Sequence, residues 1–499
     1  MPGTPPRPPR WPSTPRPRRG ARRRAASLTL GVAVLLITSG LLLALAPAQP
    51  PPGPDQPSAA GYDWSARRPP GPNPDLLAVG VTHGQYSIDN WGDDDARASA
   101  MRVLGATATY QNQHIFGWGA LNPQPRPGVY EWASLDRRMR LVRATGGTPV
   151  ITLCCAPDWM KGGRPGETDW TRLHAAPRPE HYRDFAGLAV AVARRYPQVR
   201  HFLVWNEMKG FWDNLRNRWD YEAYTKFYNT VYDALKKAVP GVKVGGPYVV
   251  VDVWGDPTAG GRPSTLAGAC GTIDRRSLDA IDYWLRNKHG ADFVAIDGGV
   301  VTRDSGQVAS TTLATAMFGG VTRWLRHRTD LPIWWSEFHV GYAEVLGQQQ
   351  LVASAVAALL HMADERAAVA LLWQPERLAE QEYRGPPTLW TSTQSAGGGR
   401  PLPLAEALAW MQRLLADPEP ADAVSWPVPE VGVLHGRHAL LVVSTAGREV
   451  EVRVRGQRLR LAPYEVRYVP LPDTAPPPAP AWWTPALDEC LSEQPKPTS

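Results

Sequence analysis

The sequence has few cysteines and does not arrange them as a metal site. Four occur in 499 residues, Cys154, Cys155, Cys270 and Cys490, with no CxxC pair or Cys/His cluster, so a zinc site is not expected. In a strand, Cys154 and Cys155 would point to opposite sides, most simply as small buried side chains. A disulfide formed by Cys155 or Cys270 stays open. No internal repeat of fixed period is present, so a repeat architecture is not indicated.

Acidic residues are absent from positions 1–24, which hold eight arginines and no lysine. Removing those eight charges changes the formal net charge of the chain from +7 to −1. A basic tail on a nearly neutral body argues against a nucleic-acid-binding surface on the folded part. Nucleic acid is therefore not an expected partner.

Charge is also absent from residues 25–46. As a helix this segment would span roughly 33 Å at about 1.5 Å per residue, enough to cross a bilayer. The preceding arginines would keep the N-terminus in the cytoplasm and place the body outside, as a single-pass membrane protein. A signal peptide is the alternative, with small residues at 46–48 as a cleavage site, and the body would then be secreted.

The remaining chain divides by composition. Proline-rich residues 47–75 predict a semi-rigid linker, and residues 472–499 predict a proline-rich tail. Between them we expect a barrel over 76–420 and a β-module over 421–471. In the module, apolar and polar residues alternate with period two, and turn signals "HGRH", "TAGRE" and "RGQR" separate the strands. Its arginines are interpreted as a solvated face.

The barrel is predicted from eight short apolar runs that alternate with helical patterns. The predicted strands are 76–82, 106–111, 148–155, 201–207, 242–248, 292–297, 332–338 and 368–374. The clearest predicted helices are 134–146, with Ser134 as N-cap, 180–196 and 221–239. Near-continuous apolar strands between amphipathic helices indicate a buried parallel sheet. Eight such units predict an α/β fold, a closed (β/α)8 TIM barrel.

Two glutamates stand at the ends of predicted strands. Glu207 follows the fourth strand in "HFLVWNEMKGFW" (201–212), and Glu337 ends the seventh in "WWSEFHVG" (334–341). The two strands lie across the barrel mouth from each other, so both side chains can face one cleft. Each glutamate by itself could be a helix cap. The aromatic residues around Glu207 suggest a desolvated carboxyl with a raised affinity for a proton.

These motifs resemble those of clan A retaining glycoside hydrolases. "WNEM" (205–208) is similar to the acid/base motif of that clan, and "WWSEFHVG" to its nucleophile motif. The segment 117–160, with its W…P…G.Y.W..LD pattern before an apolar strand that ends near Pro-x-Trp, resembles the second and third barrel strands. The resemblance extends from about 78 to 420 and is nearest to family 39, the β-xylosidase and α-L-iduronidase group.

The resemblance implies a double displacement in which Glu337 is the nucleophile and Glu207 the acid/base. Asn206 would contact the sugar 2-hydroxyl. The sequence departs from the clan in two places: Gln111, Gln113 and His114 stand where an arginine is common, and Asp297 stands where His or Tyr is common. Asp297 could bind a pair of sugar hydroxyls or cap a turn.

Further candidate substrate-binding residues lie at predicted strand ends and loops near the mouth. His339 could contact the nucleophile or the sugar, or be structural, and the tryptophans could stack on sugar or fill the core. The candidates are His83, Trp118, Trp159, Trp212, Tyr248, His339 and Trp373.

The expected function is hydrolysis of an extracellular or cell-surface glycan, an oligosaccharide or polysaccharide, without metal or organic cofactor. Transglycosylation on the same site is one alternative. A catalytically inactive glycan-binding barrel and a membrane scaffold that uses the β-module for contacts are two others.

Overall fold

The computed structural model describes residues 76–471 apart from 85–87, 89–91, 269, 307–309, 343–345, 379–384 and 417–422. The expected cytoplasmic tail, membrane anchor, linker and C-terminal tail lie outside the described residues. Among the helices of the described part, none combines the length and the apolar character needed to span a bilayer.

Eight parallel strands close into a barrel, as the sequence predicts. In chain order they are β1 (Ala78–Thr82), β2 (Tyr110–His114), β3 (Thr148–Leu153), β4 (His201–Val204), β5 (Lys243–Val251), β6 (Phe293–Gly299), β7 (Ile333–His339) and β8 (Val369–Trp373). Each strand pairs with its neighbours in sequence, and β1 pairs with β8 to close the ring. The predicted (β/α)8 barrel is confirmed.

Within the described part of the chain, an α-helix of three turns or more follows each strand. The helices are α1 (Asp94–Thr107), α2 (Ala133–Ala144), α3 (Tyr182–Arg195), α4 (Tyr221–Ala238), α5 (Arg275–Asn287), α6 (Thr311–Arg326), α7 (Gln348–Asp364) and α8 (Pro403–Ala416). Their apolar faces bury residues such as Leu188 in α3 and Val231 in α4 against the barrel. Ser134 is not the N-cap of α2, because the helix begins at Ala133 and the Ser134 hydroxyl accepts a hydrogen bond from the Leu121 amide instead.

The second strand lies later in the chain than predicted. Helix α1 continues to Thr107, and β2 consists of the polar sequence YQNQH, which does not form an apolar run. The last four of these side chains are nevertheless buried, and each has a hydrogen-bond partner outside β2. Asn112 donates to Thr82 Oγ1 at 3.1 Å and accepts from Thr152 Oγ1 at 2.9 Å.

A small antiparallel β-module follows the barrel. Strands Val424–Val428, Val431–His435, Ala439–Ser444 and Val466–Pro470 form one sheet, and Val450–Val454 pairs with Gln457–Leu461. The predicted turns separate these strands.

The arginine-rich face of this module is balanced by ion pairs with glutamates. The pairs are Arg448–Glu430, Arg458–Glu451, Arg460–Glu449 and Arg467–Glu465. This pairing agrees with a solvated face.

Candidate active site

The loop after β4 carries Glu207 and has an uncommon backbone. Trp205, Glu207 and Met208 have φ angles of 71°, 52° and 50°. Residues other than glycine rarely adopt this left-handed region, and such conformations concentrate at functional sites. The strand therefore ends at Val204 rather than at the predicted Glu207, and the chain turns sharply so that Glu207 and Lys209 face each other.

The aromatic residues of this loop anchor it and do not enclose Glu207. The Trp205 ring packs edge-on against Phe185, Phe211 and Phe227, in the layer between the barrel and its helices. Its indole nitrogen donates to the Lys209 carbonyl at 2.6 Å. The expectation that these rings desolvate the Glu207 carboxyl is wrong, because the turn directs them into the core and the carboxyl into the barrel mouth.

Two donors converge on one oxygen of Glu207. Lys209 Nζ lies 2.6 Å from Oε1, and Asn206 Nδ2 donates to the same atom at 2.9 Å. Asn206 is itself held by His114, whose Nε2 lies 3.1 Å from Asn206 Oδ1. Burial lowers the pKa of His114 to about 3, so the ring is neutral and its Nε2 carries the donated proton. Lys209 and Glu207 thus form an ion pair at the barrel mouth.

Glu337 lies near the end of β7, side by side with Asp297 of β6 in the strand register. Its side chain is buried, as is that of Asp297. One carboxylate oxygen from each of Glu207, Asp297 and Glu337 lies within 4.8 Å of the other two. The two predicted glutamates therefore meet in one cleft.

Burial and mutual repulsion raise the pKa values of the two inner carboxyls. For Glu337 the largest cause is burial, followed by the negative charge of Glu207, while the Lys209 ammonium and the Tyr248 hydroxyl oppose the rise. For Asp297 burial is again first, followed by the charges of Glu337 and Glu207. The site thus favours at least one proton on this inner pair at neutral pH.

Several other predicted residues surround these carboxyls. Tyr248 in β5 is fully buried, and its hydroxyl donates to the Ser336 carbonyl at 3.4 Å beside Glu337. His339 ends β7 and contacts the Trp373 ring at a centroid distance of 6.4 Å. Gly299 makes room for His339, since a Cβ at this position would lie 2.2 Å from the His339 Cε1 atom.

Trp118 also belongs to the site. Its ring stacks on His114 at 4.1 Å, and Lys209 Nζ lies 5.5 Å from its centroid. The buried Arg138 of α2 holds the Trp118 carbonyl with a hydrogen bond of 2.7 Å and also donates to Gln113 Oε1. The polar residues of β2 thus support the site through Arg138.

For three predicted residues the contacts that the structure shows are with groups other than the carboxyls. His83 is wholly buried next to Gln111 and Arg138. Trp159 donates its indole proton to the Gln124 carbonyl at 3.0 Å. Trp212 packs edge-on against Trp219 in a short hairpin.

Sequence reasoning missed Lys209 and Asp252. Asp252 follows β5. Burial raises its pKa to about 6, and the negative charge of Glu207 contributes to the rise. The nearest cation to it is Arg303, whose Nε lies 3.5 Å from Asp252 Oδ1. Lys209 could have been noticed as a cation two residues after the candidate acid, whereas nothing local to Asp252 marks it.

Cys154 and Cys155 are joined in a disulfide just after β3. The expectation of two side chains on opposite sides of a strand is wrong, because the strand ends at Leu153. Both cysteines are buried, and the Phe116 backbone bonds to each of them at 3.0 and 3.1 Å. Cys270 is free.

The oxygens of the three carboxyls are close enough to share a cation. Lys209 already supplies a positive charge at this place. The absence of a metal cofactor therefore stays a prediction from the sequence.

Solved structures of glycosidases share this fold. A monomeric β-xylosidase from Caulobacter crescentus is 17% identical with a TM-score of 0.50, and the match covers 79% of this chain and 78% of that one. A family 39 β-xylosidase structure from the same organism is 18% identical with a TM-score of 0.50, over 79% and 82%.

A family 39 glycoside hydrolase from Bacteroides cellulosilyticus is 14% identical with a TM-score of 0.52, over 80% of this chain and 81% of that one. No protein-family profile matches the chain, and no curated protein does. At these identities the likeness shows the fold, which agrees with the fold that the sequence motifs imply.

Proposed function

We propose that this protein is a retaining glycoside hydrolase that acts on an extracellular or cell-surface glycan. The observation that carries the proposal is the approach of Glu207 and Glu337, whose carboxylate oxygens lie within 4.8 Å of each other. Retaining enzymes separate their two carboxyls by about 5–5.5 Å, whereas inverting enzymes need about 6.5–9.5 Å to admit a water. The spacing supports a double displacement.

In the first step Glu337 attacks the anomeric carbon while Glu207 protonates the departing glycosidic oxygen. The carbon–oxygen bond to the leaving group breaks and a glycosyl ester forms on Glu337. In the second step Glu207, now ionised, takes a proton from water, and the resulting hydroxide displaces Glu337 from the sugar. Asn206 is proposed to bind the sugar 2-hydroxyl next to the reacting carbon.

The first step needs a proton on Glu207 and a charged Glu337. In the resting structure Glu207 Oε1 contacts Lys209 Nζ, and burial favours a proton on the Asp297–Glu337 pair. We propose that a sugar entering the cleft takes over hydrogen bonds from Lys209 and that Glu207 then binds a proton from solvent, while the inner pair keeps its own proton.

The sugar is proposed to contact the aromatic residues that border the carboxyls. Trp118, Trp373 and His339 are each partly exposed and adjoin the cleft, so their rings can stack on a sugar face or bond to a hydroxyl. His83 is wholly buried and is not proposed as a contact, and Trp159 and Trp212 lie outside the group of residues that touch the carboxyls.

The test is a panel of aryl glycosides and cell-wall polysaccharides, with Glu207→Gln and Glu337→Gln as controls. The wild type should release a product of the same anomeric configuration as its substrate, measured by proton NMR. A 2-deoxy-2-fluoro aryl glycoside of the active sugar should label Glu337, identified by peptide mass spectrometry. Inversion of the anomeric centre, or label on Glu207, would contradict the assigned mechanism.

The same assay separates the alternatives. New oligosaccharides in the presence of a sugar acceptor would indicate transglycosylation. Glycan binding with no turnover on any substrate would indicate an inactive binding barrel. Turnover by Glu337→Gln equal to that of the wild type would contradict the role of Glu337 as nucleophile.

We further propose that the chain is exported, either anchored through residues 25–46 or released after cleavage of this segment. The disulfide between Cys154 and Cys155 supports this, since disulfides persist mainly in oxidising compartments. Fractionation of expressing cells, with protease added to the outside, tests the placement. Protection of the barrel from protease in intact cells would contradict it.

A further inference from the structure

The candidate site contains more negative than positive charge. Three carboxyls meet in it, and the cation that acts on all of them is Lys209. Lys209 Nζ lies 2.6 Å from Glu207 Oε1, so its contact is with Glu207 and not with the inner pair. Asp297 and Glu337 are left beside each other, in register on neighbouring strands.

Asp297 has no hydrogen-bond donor on its buried Oδ1 atom within the described part of the chain. The residue is 4% exposed. A buried carboxylate without a donor is costly, whereas a buried carboxylic acid brings its own proton. The groups that face Asp297 are the carboxyls of Glu337, Glu207 and Asp252, the Lys209 ammonium and the Tyr248 hydroxyl, so carboxyls outnumber cations there.

Two ionised carboxylates whose oxygens lie within 4.8 Å of each other would repel strongly, because burial reduces the screening of their charges by water. Placing one proton on the pair removes that repulsion and leaves a single negative charge near Lys209. Which carboxyl holds the proton matters, because the nucleophile must be ionised to attack.

We propose that Asp297 is a positioning residue that stays protonated in the reactive state and directs its proton to the Glu337 carboxylate. This inference rests on the proposed function. As a neutral donor, Asp297 would orient Glu337 toward the anomeric carbon and let it carry the single charge of the pair. The carboxyl would then act through Glu337 and would not serve as an anionic acceptor for sugar hydroxyls.

The kinetic test compares Asp297→Asn with Asp297→Ala. Asparagine is isosteric, uncharged and can donate, so kcat should fall less than about tenfold. Alanine leaves Glu337 without its donor, and kcat should fall about 100-fold with little change in KM, the cost of a misplaced reacting group. If the charge of Asp297 held a sugar hydroxyl, the two variants would be equally impaired and KM would rise.

A measurement without turnover follows the proton directly. Infrared difference spectra between H2O and D2O should show a protonated carboxyl in the wild type at neutral pH. Asp297→Asn should remove this band, because it removes the protonated group. Glu337→Gln should keep it, because burial, the largest cause of the raised pKa of Asp297, is unchanged. Glu406, whose pKa burial raises to about 7, contributes a background band that both variants keep.

These measurements test the role of Asp297 separately from the proposed glycosidase activity. Loss of the band in Asp297→Asn together with its retention in Glu337→Gln supports a proton on Asp297, even if no substrate has been found. Persistence of the band in Asp297→Asn, or its absence in the wild type, overturns the inference. Labelled Glu337 together with equally impaired Asn and Ala variants would leave the glycosidase proposal standing and overturn the role of Asp297. Asp297→Asn should fold, since it preserves shape.

Discussion

Replacing Glu337 with glutamine should stabilise the protein while it abolishes turnover. In the folded state the carboxyl either repels its neighbours or takes up a proton. At an effective dielectric constant of about 20, repulsion by one carboxylate at 4.8 Å costs about 3.5 kcal/mol. Protonation of a group with an ordinary pKa of 4.5 at pH 7 costs about 3.4 kcal/mol. Glutamine has neither cost.

The net gain should be about 1–3 kcal/mol, because attraction to Lys209 and the contact with Tyr248 are lost as well. An unfolding entropy of about 2.1 cal/mol/K per residue gives about 0.8 kcal/mol/K for a body of about 390 residues. The melting temperature should therefore rise by about 1–4 °C near pH 7. Differential scanning calorimetry measures this shift.

The gain should depend on pH in a defined direction. The pKa of Glu337 is raised in the folded state, so the folded protein binds more protons than the unfolded chain above pH 4.5. Wild-type stability should therefore fall as pH rises from that value, and the variant should lack this loss. The difference in melting temperature should grow toward neutral pH and vanish near pH 4.

Glu207→Gln is the matched control and should behave oppositely. It leaves Lys209, whose side chain is 19% exposed, without its partner, and loss of one member of a buried pair is destabilising. A Glu337→Gln variant that melts lower than wild type, or a gain that does not vary with pH, would refute the crowding of carboxyls described above.

Two further predictions concern neighbouring residues. Lys209→Met should move the acid arm of the kcat/KM profile upward by about 1 pH unit, since it removes the cation that lowers the pKa of Glu337. Lys209→Arg should leave that arm in place, and equal shifts in both variants would contradict the charge effect. Gly299→Ala should lower kcat about tenfold, because the added methyl group would displace His339. The control, Gly187→Ala on the open face of α3, should keep kcat and raise the unfolding free energy by about 0.5–1 kcal/mol. An unchanged kcat in Gly299→Ala would show that the position of His339 is not needed for turnover.

Much of the barrel could be predicted because its strands and helices repeat apolar residues with different periods. The exception is β2, whose buried residues are polar. Their burial depends on partners such as Thr82 and Thr152 on adjacent strands, which no local pattern reveals. The β-module was predicted more easily, since its turns and its alternation of residues are local features.

The candidate site was predicted in its two central residues and not in their environment. Glu207 lies just beyond the end of β4 and Glu337 near the end of β7, and the topology of a barrel brings strand ends together. Trp205 and Phe211 were expected around the carboxyl, but the left-handed turn sends them into the core. The same turn brings Lys209 onto Glu207.

The sequence alone determined the repeating strands and helices, and it indicated which two acids would stand at strand ends. Periodicity and position along the chain are enough for both. Only the tertiary structure decided the charge state of the site, because that depends on the distances among Glu207, Asp297, Glu337 and Lys209 and on their burial. Those distances join residues on the loop after β4 and on strands β6 and β7, which are far apart in the sequence, so no local stretch of sequence determines them.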